Sequence, residues 1–282
     1  MYKAIALDLD GTTLHSDSRM SDRLVQLFHR MRAHGIKIFF VSGRTKLEME
    51  DVIPDGLEVD GLVTANGMVS YVDDRMVSKV TLDPDLVKMS VTKAKKEGIY
   101  YEIHPLERRR YALIEDRDAM EKELSREKPD TLPDFELLNR KESLKSGLNW
   151  KKELTVEDII KVYFFSMDTN MIRVFRTKLE NLKNNYCFDL SASSIHSTEI
   201  VAPDVSKATG VRELLDYYQI PSEKLLAVGD AENDLPMFRI AGHAAAMKNA
   251  EEDIKKHADE VTRFTNDEDG LYLFLKEKFK EL

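Results

Sequence analysis

The first 80 residues alternate between short apolar runs and amphipathic helical segments. The apolar runs cover residues 2–7, 36–41 and 61–65, and helices are predicted at 21–34 and 45–52. Runs that are nearly all apolar or β-branched are typical of parallel strands covered on both faces, whereas half-exposed strands alternate polar and apolar residues. Their regular alternation with helices predicts βαβ units, and therefore an α/β fold built on a doubly wound, mostly parallel sheet.

The pattern changes in the middle of the chain. Residues 83–194 contain long charged helical segments with strands between them and a polar stretch at 139–152. From residue 199 the earlier alternation returns. The 282 residues therefore predict a discontinuous core domain, 1–82 with 195–282, and an inserted α/β domain at 83–194, in agreement with the usual domain size.

Composition restricts the class of partner. A formal net charge of −9 and a pI near 5.4 disfavour nucleic acid or an anionic membrane as the main partner, because both select basic surfaces. Cys187 is the only cysteine, which excludes an internal disulfide and suits a reducing compartment. No apolar run approaches the ~20 residues of a membrane span, and no signal-peptide pattern opens the chain. We expect a cytoplasmic protein with a small-molecule ligand.

Two carboxylates follow the first apolar run directly. The period of two along an extended chain turns Asp8 and Asp10 to the same side, at the strand end where open α/β sheets bind ligands. Charges so close raise one pKa, unless a cation is shared or one carboxyl stays protonated for acid catalysis. An isolated Asp-Gly pair is also a common turn, and Gly11 comes too early for an EF-hand loop. The pair is informative only in combination with other residues.

A second acidic cluster follows the apolar run 225–228, in Gly229-Asp230-Ala231-Glu232-Asn233-Asp234. By itself this cluster is also typical of a turn that caps the next helix. Together with the first pair it would bring four carboxylates to one sheet edge, a hard oxygen environment of the kind that Mg²⁺ prefers.

A hydroxyl and an ammonium group follow other predicted strands. Ser42, in a Ser-Gly-Arg turn, and Lys207, at a helix start, could donate to the oxygens of a phosphoryl group. Taken singly, a turn serine is more often structural and a lysine more often solvated.

These segments resemble, in order, the four motifs of the haloacid dehalogenase superfamily in its phosphatase branch. They are Asp8-Leu9-Asp10-Gly11-Thr12, Val41-Ser42-Gly43-Arg44, Lys207, and Gly229-Asp230 with Asn233-Asp234. Further segments are similar to the Cof-type group, whose large (type IIB) cap lies between the second and third motifs: Ala65-Asn66-Gly67, Ala246-Met247-Lys248-Asn249-Ala250 and Asn266-Asp267-Glu268-Asp269-Gly270. Two segments depart from the group pattern, Asp204–Gly210 and Met247-Lys248-Asn249, and neither removes a catalytic group.

The resemblance implies a mechanism and a role for each matched residue. Asp8 would be the nucleophile that forms an aspartyl-phosphate, and Asp10 the general acid and base. Phosphate-binding residues and metal ligands are implied in the same way. The phosphate ligands would be Ser42, Gly43, Lys207 and Asn233. The Mg²⁺ ligands would be Asp8, Asp10 through its backbone carbonyl, and Asp230, with Asp234 either a further direct ligand or a support for the others.

The expected function is hydrolysis of a small phosphorylated metabolite, such as a sugar phosphate, a nucleotide-like ester or a phosphorylated cofactor. Two alternatives remain open: a phosphomutase acting on sugar phosphates, and a phosphometabolite-binding regulator without turnover. The resemblance makes the insert a cap that closes over the site. Within it His104, Arg109 and Trp150 are candidate specificity residues, although each is also compatible with packing or with a solvated surface.

Overall fold

The computed structural model describes residues 2–280, apart from the side chain of Phe135. The chain divides into two compact units: one runs to Lys79 and resumes at Val205, and the other is Val80–Asp204. The boundaries therefore lie at 79/80 and 204/205, whereas the sequence pattern placed them at 82/83 and 194/195.

The first segment of the chain has the alternation that the apolar runs predicted. Its elements are β1 (Ala4–Leu7), α1 (Asp22–Ala33), β2 (Lys37–Val41), α2 (Lys46–Glu50), β3 (Gly61–Thr64), β4 (Val69–Val72) and β5 (Arg75–Lys79). Helix α1 begins after Ser21, whose hydroxyl accepts a hydrogen bond from the backbone N–H of Leu24 as an N-cap.

The middle segment forms the second unit. Its elements are α3 (Pro84–Glu97), β6 (Tyr100–Pro105), β7 (Tyr111–Leu113), α4 (Arg117–Leu124), α5 (Asp134–Glu142), β8 (Asn149–Lys151), β9 (Ile159–Phe165), α6 (Thr169–Glu180), β10 (Asp189–Ser191) and β11 (Ser197–Val201). The polar stretch 139–152, for which no element was predicted, contains the end of α5, a turn of π-helix at Ser143–Gly147 and β8.

The last segment completes the first unit. Its elements are α7 (Lys207–Tyr218), β12 (Leu225–Gly229), α8 (Leu235–Ile240), β13 (His243–Ala246), α9 (Glu252–Lys255), β14 (Glu260–Val261) and α10 (Gly270–Lys278). Helix α7 begins at Lys207, where the sequence predicted a helix start.

The sheet of the first unit has eight strands in the order β14-β13-β12-β1-β2-β3-β4-β5. It is parallel from β14 to β3, and β4 and β5 continue it as an antiparallel hairpin. In register, Leu7 of β1 pairs with Phe40 on one side and Val228 on the other. The residues that follow β1, β2 and β12 therefore meet at one edge, and the predicted doubly wound, mostly parallel α/β fold is confirmed.

The central strands are buried on both faces. Ala4 and Ala6 of β1 belong to a buried cluster that includes Val211 and Leu214 of α7. Phe40 of β2 faces the opposite side of the sheet. Its ring lies edge-on against Phe28 of α1, with ring centroids 5.7 Å apart. The apolar runs of the sequence predicted strands that are covered on both faces, and β1 and β2 have this environment.

The second unit has its own six-stranded sheet, in the order β10-β11-β9-β6-β7-β8. Its neighbours are antiparallel except for the β7–β8 pair. Because β11 pairs with β9, residues 197–201 belong to this unit, although the pattern of the sequence had assigned them to the core. Within residues 2–280, no helix is both long and apolar enough to cross a membrane.

Helix α7 approaches the first sheet closely through a glycine. A Cβ built on Gly210 would lie 2.3 Å from Cγ1 of Val63, a stiff and fully buried side chain of β3. This close approach positions the helix whose first residue is Lys207.

We predict that Gly210→Ala lowers the free energy of unfolding by about 1–2 kcal/mol, because overpacking outweighs the gain in helix propensity of roughly 1 kcal/mol. In a Val63→Ala background the same substitution should be neutral or stabilising. Urea unfolding followed by circular dichroism measures both effects, with Arg212→Ala on the exposed side of α7 as the control. A Gly210→Ala loss that is equal in both backgrounds would contradict this packing argument.

Candidate active site

A buried lysine lies between two carboxylates at the carboxyl edge of the first sheet. Lys207 Nζ donates to Oδ1 of Asp8 at 2.6 Å and to Oδ1 of Asp234 at 2.7 Å. Lys207 and Asp234 are fully buried, and Asp8 is 5% exposed. Charge-assisted hydrogen bonds of this length are strong, and they hold the side chain of Asp8 in place at the end of β1.

The loop after β12 contributes Asp234 and a third carboxylate, Asp230. Oδ2 of Asp234 accepts hydrogen bonds from the backbone N–H groups of Asp230, at 2.9 Å, and Ala231, at 3.0 Å. Asp230 Oδ1 accepts from the Thr12 hydroxyl at 2.7 Å. Asp234 therefore binds the backbone of its own loop through one oxygen and Lys207 through the other. The loop held in this way orients Asp230 towards the segment that follows β1.

Two glycines give these carboxylates room. A Cβ on Gly11 would lie 2.3 Å from Oδ2 of Asp230, and the φ of +77° at this position also favours glycine. A Cβ on Gly229 would lie 2.3 Å from Cγ of Asp234. The lack of a side chain at Gly11 allows the two acidic loops to approach each other, and its lack at Gly229 allows Asp234 to fold back over the end of β12.

The electrostatics of this cluster are unbalanced. Burial, together with the charge of Asp234, raises the pKa of Asp8 to about 7 in spite of Lys207. Burial and the charges of Asp8 and Asp234 raise the pKa of Asp230 well above its usual value. For Lys207, burial would lower the pKa, but the charges of Asp234 and Asp8 outweigh it and raise the pKa.

The donor set of this cluster fits a divalent cation. Oxygens of Asp8, Asp230 and Asp234 all lie within 4.8 Å of one another. Three ionised carboxylates and one ammonium leave two negative charges, which is the excess that one Mg²⁺ neutralises.

Asp10 lies in a different environment from Asp8. Its two carboxylate oxygens accept hydrogen bonds from Arg44, Oδ2 from Nε at 2.8 Å and Oδ1 from a terminal guanidinium nitrogen at 2.7 Å. Burial raises the pKa of Asp10, but the Arg44 guanidinium outweighs it and holds the pKa below its usual value. The side chain of Asp10 remains 42% exposed, so this second carboxyl is paired and yet accessible.

The Ser-Gly-Arg turn after β2 lies beside a turn from the end of β3. Ser42 is 1% exposed and its Oγ accepts from the backbone N–H of Arg44 at 3.1 Å. A Cβ on Gly43 would lie 3.3 Å from both terminal atoms of the Asn66 amide. Asn233 Nδ2 donates to Oδ1 of the same amide at 3.1 Å. Ser42, Gly43 and Asn233 are thus brought together through Asn66.

Several contacts of the site were not predicted from the sequence. Thr13 Oγ1 donates to the backbone carbonyl of Asp8, Asn249 Nδ2 to that of Gly11, and Asn266 Nδ2 to that of Leu14. Segments containing Arg44, Asn66, Asn249 and Asn266 were matched to the family, and this match was the only sequence signal for them. Their roles depend on side-chain directions between distant segments, which no local pattern specifies.

The candidate specificity residues of the insert lie in three environments within the second unit. His104 is 1% exposed on β6, and its Nε2 lies 3.4 Å from Oε2 of the fully buried Glu102. Arg109 is exposed. Trp150 is partly buried under the guanidinium of Arg117, 5.4 Å from the ring centroid.

Comparison with known proteins identifies the family. The model of the haloacid dehalogenase-like hydrolases matches residues 5–275. The chain belongs to this family. The predicted superfamily and the prediction that this chain is an enzyme of the hydrolase class are therefore confirmed.

Relatives match over nearly the whole chain. The 5-amino-6-(5-phospho-D-ribitylamino)uracil phosphatase YwtE of Bacillus subtilis is 27% identical over 97% of this chain and 96% of the relative. A solved haloacid dehalogenase-like hydrolase from B. subtilis has a TM-score of 0.81 and 28% identity, covering 97% of this chain and 99% of its own. A sugar phosphatase of subclass IIB, with a TM-score of 0.75, 21% identity and coverage of 99% and 100%, shares the fold.

Glu102 is the centre of a buried ion-pair network in the second unit. It contacts Arg140 at 2.8 Å and Arg110 at 3.1 Å, and it accepts a hydrogen bond from the Tyr100 hydroxyl. Burial by itself would raise the pKa of Glu102, but the two guanidinium groups outweigh it and hold the pKa well below its usual value.

We predict that Glu102→Gln lowers the stability of the second unit at pH 7 by about 3 kcal/mol, because it leaves two guanidinium groups without their carboxylate. The depressed pKa means that this stabilisation is complete above the unfolded pKa of about 4.5, and is lost as the pH falls from there towards the folded pKa. The difference between the two proteins should therefore shrink on acidification below about pH 4.5.

Trp150, the only tryptophan, reports on the second unit, so urea unfolding followed by its fluorescence at pH 7 and below pH 4.5 tests the prediction. The exposed Glu153→Gln is the control. Equal unfolding midpoints for the wild type and Glu102→Gln at pH 7 would show that the network contributes nothing.

Proposed function

We propose that this protein is a Mg²⁺-dependent phosphatase that hydrolyses a small phosphorylated metabolite through an aspartyl-phosphate on Asp8. The observation that carries the proposal is the cluster of Asp8, Asp230 and Asp234 around the buried Lys207 at the carboxyl edge of a parallel sheet. Membership of the hydrolase family and the phosphatase names of full-length relatives support the same chemistry.

Asp8 is the proposed nucleophile. Lys207 holds Oδ1 of this carboxylate, so the attacking group has a fixed direction at the end of β1. Attack on phosphorus forms an aspartyl-phosphate and releases the alcohol. Hydrolysis of this acyl phosphate then releases inorganic phosphate and regenerates the carboxylate, so that one difficult displacement becomes two easier ones.

Asp10 is the proposed general acid and base. Its carboxyl is accessible and two residues from the nucleophile, which suits proton transfer to the leaving oxygen and later from water. The bidentate contact with Arg44 orients this carboxyl between reactions. Proton transfer requires that Asp10 release at least one of these hydrogen bonds when substrate is bound.

The phosphoryl group would be bound by donors from three segments. Lys207 supplies the positive charge, and Ser42, Gly43 and Asn233 supply a hydroxyl, a backbone N–H and an amide from neighbouring turns. Their common origin at one sheet edge supports this assignment.

Asp8, Asp230 and the Asp10 backbone carbonyl are the proposed Mg²⁺ ligands. Asp234, whose two oxygens already accept hydrogen bonds, supports them by orienting Asp230 and Lys207. When bound, Mg²⁺ would neutralise the excess negative charge and allow the phosphoryl group to approach an anionic carboxylate.

The proposed substrate class is a phosphomonoester of a small polyol-like or heterocyclic metabolite. The relative YwtE is named for 5-amino-6-(5-phospho-D-ribitylamino)uracil, and two further relatives, YitU and YcsE, carry the same activity in their names. That ester is therefore the first compound to test, followed by sugar phosphates, nucleotides and phosphorylated cofactors.

A phosphate-release assay over this panel tests the function. We expect free phosphate from at least one ester in the presence of Mg²⁺, and loss of release after chelation that is restored by added Mg²⁺. Isomerised sugar phosphate without free phosphate would instead indicate a phosphomutase. Binding without turnover would indicate a regulator.

We predict that Asp8→Asn lowers kcat by at least about 10⁴-fold, since it removes the nucleophile, and that Asp10→Asn lowers it by about 10²–10⁴-fold. Because burial and Asp234 raise the pKa of Asp8, its ionised form is costly to bury, so the amide should not unfold the core. Circular dichroism and thermal unfolding check this point, with the exposed Asp55→Asn as the activity control. An Asp8→Asn protein with activity near that of the wild type would exclude Asp8 as the nucleophile.

A further inference from the structure

A strained turn follows β3 at the edge of the candidate active site. The turn Ala65–Gly67, called the Asn66 turn below, has φ values of 48° at Ala65, 59° at Asn66 and 103° at Gly67. Left-handed backbone is uncommon for residues other than glycine, and consecutive residues in it persist only where the surroundings impose them. Asn66 is 2% exposed, so its amide is also taken out of water.

The backbone of this turn is attached to the Ser-Gly-Arg turn. The N–H of Asn66 donates to the carbonyl of Ser42 at 3.0 Å, and the N–H of Ala65 donates to the carbonyl of Arg44 at 2.8 Å. These two hydrogen bonds fix the spacing between the Asn66 turn and the proposed phosphate-binding hydroxyl.

The far end of the turn lies against the start of α7. A Cβ on Gly67 would lie 2.1 Å from the carbonyl oxygen of Ser206, the residue immediately before Lys207. Only glycine allows the backbone to approach so closely. The position of Lys207 is thereby tied to the same turn as Ser42.

The side chain of Asn66 contacts the loop that follows β12. Its Oδ1 accepts a hydrogen bond from Nδ2 of Asn233 at 3.1 Å. Among the described residues, the other end of the Asn233 amide, Oδ1, is buried and has no hydrogen-bond partner. The Asn233 nitrogen carries two hydrogens and Oδ1 only accepts, so the contact with Asn66 holds one N–H and leaves the second N–H of Nδ2 available as a donor to a phosphoryl oxygen.

We infer that Asn66 is a positioning residue for phosphate binding, which acts by fixing the orientation of the Asn233 amide relative to Ser42 and Lys207. The inference rests on the proposed function of this site. It assigns to the Asn66 turn the task of holding three separate segments of the chain at the distances that one phosphoryl group requires.

Glycine substitution isolates the side chain from the backbone. Asn66→Gly keeps a residue that adopts a φ near 59° without strain, and it removes only the amide. Gln219→Gly is a matched control, since Gln219 is also left-handed, with φ 53°, but is exposed at the end of α7.

The experiment compares the wild type, Asn66→Gly, Asn233→Ala, the double variant and Gln219→Gly. Hydrolysis of p-nitrophenyl phosphate with Mg²⁺ gives KM and kcat, and inorganic phosphate gives an inhibition constant. Calorimetric titration with inorganic phosphate measures binding without turnover. We expect Asn66→Gly to raise KM and the inhibition constant at least about fivefold, with a smaller change in kcat and an unchanged melting temperature.

The decisive measurement is the coupling between the two asparagines. If Asn66 acts through Asn233, then Asn66→Gly should have no further effect in the Asn233→Ala background. Three results would each overturn the inference. They are effects of the two substitutions that multiply, a phosphate affinity unchanged by Asn66→Gly, and an Asn66→Gly protein that does not fold. A wild type that neither hydrolyses nor binds phosphate would refute the proposed function, and the inference with it.

Discussion

The ammonium group of Lys207 is the charge on which the site depends. It is fully buried, so it would be costly to desolvate without the two carboxylates that accept its hydrogen bonds at 2.6 and 2.7 Å. Those contacts join the start of α7 to the end of β1, 199 residues earlier, and to the loop after β12. The contacts that close the first unit from both ends of the chain are therefore also the contacts that form its candidate active site.

The remaining polar contacts divide the edge of the sheet into two environments. Around Asp8 the carboxylates outnumber the cations, and burial raises the pKa values of Asp8 and Asp230. Around Asp10 one guanidinium matches one carboxylate, and the pKa is lowered. These aspartates, two residues apart, thus differ in their protonation behaviour, but in the direction opposite to their proposed roles, because a nucleophile must be ionised and a general acid protonated. Bound Mg²⁺ would favour the ionised form of Asp8, and release from Arg44 would favour the protonated form of Asp10.

The second unit contains a buried network of charged side chains. Glu102 and His104 lie on one face of β6, since residues two apart on a strand point the same way, and Arg110 and Arg140 reach Glu102 from other elements. His104, which the sequence suggested as a specificity residue, is 1% exposed within this network. Arg109 and Trp150 are more accessible, but exposure alone assigns neither of them a role.

The sequence by itself determined the alternation of strands and helices that opens the first unit and the residues of its acidic edge. Both follow from local patterns: continuous apolar runs, helical periodicity and polar residues directly after strands. Only the tertiary structure decided that Ser197–Val201 pairs with β9, that Arg44 binds Asp10 and that Asn66 contacts both Ser42 and Asn233. The sheet that a strand joins and the partner that a side chain finds depend on contacts between distant parts of the chain, and local periodicity contains no information about them.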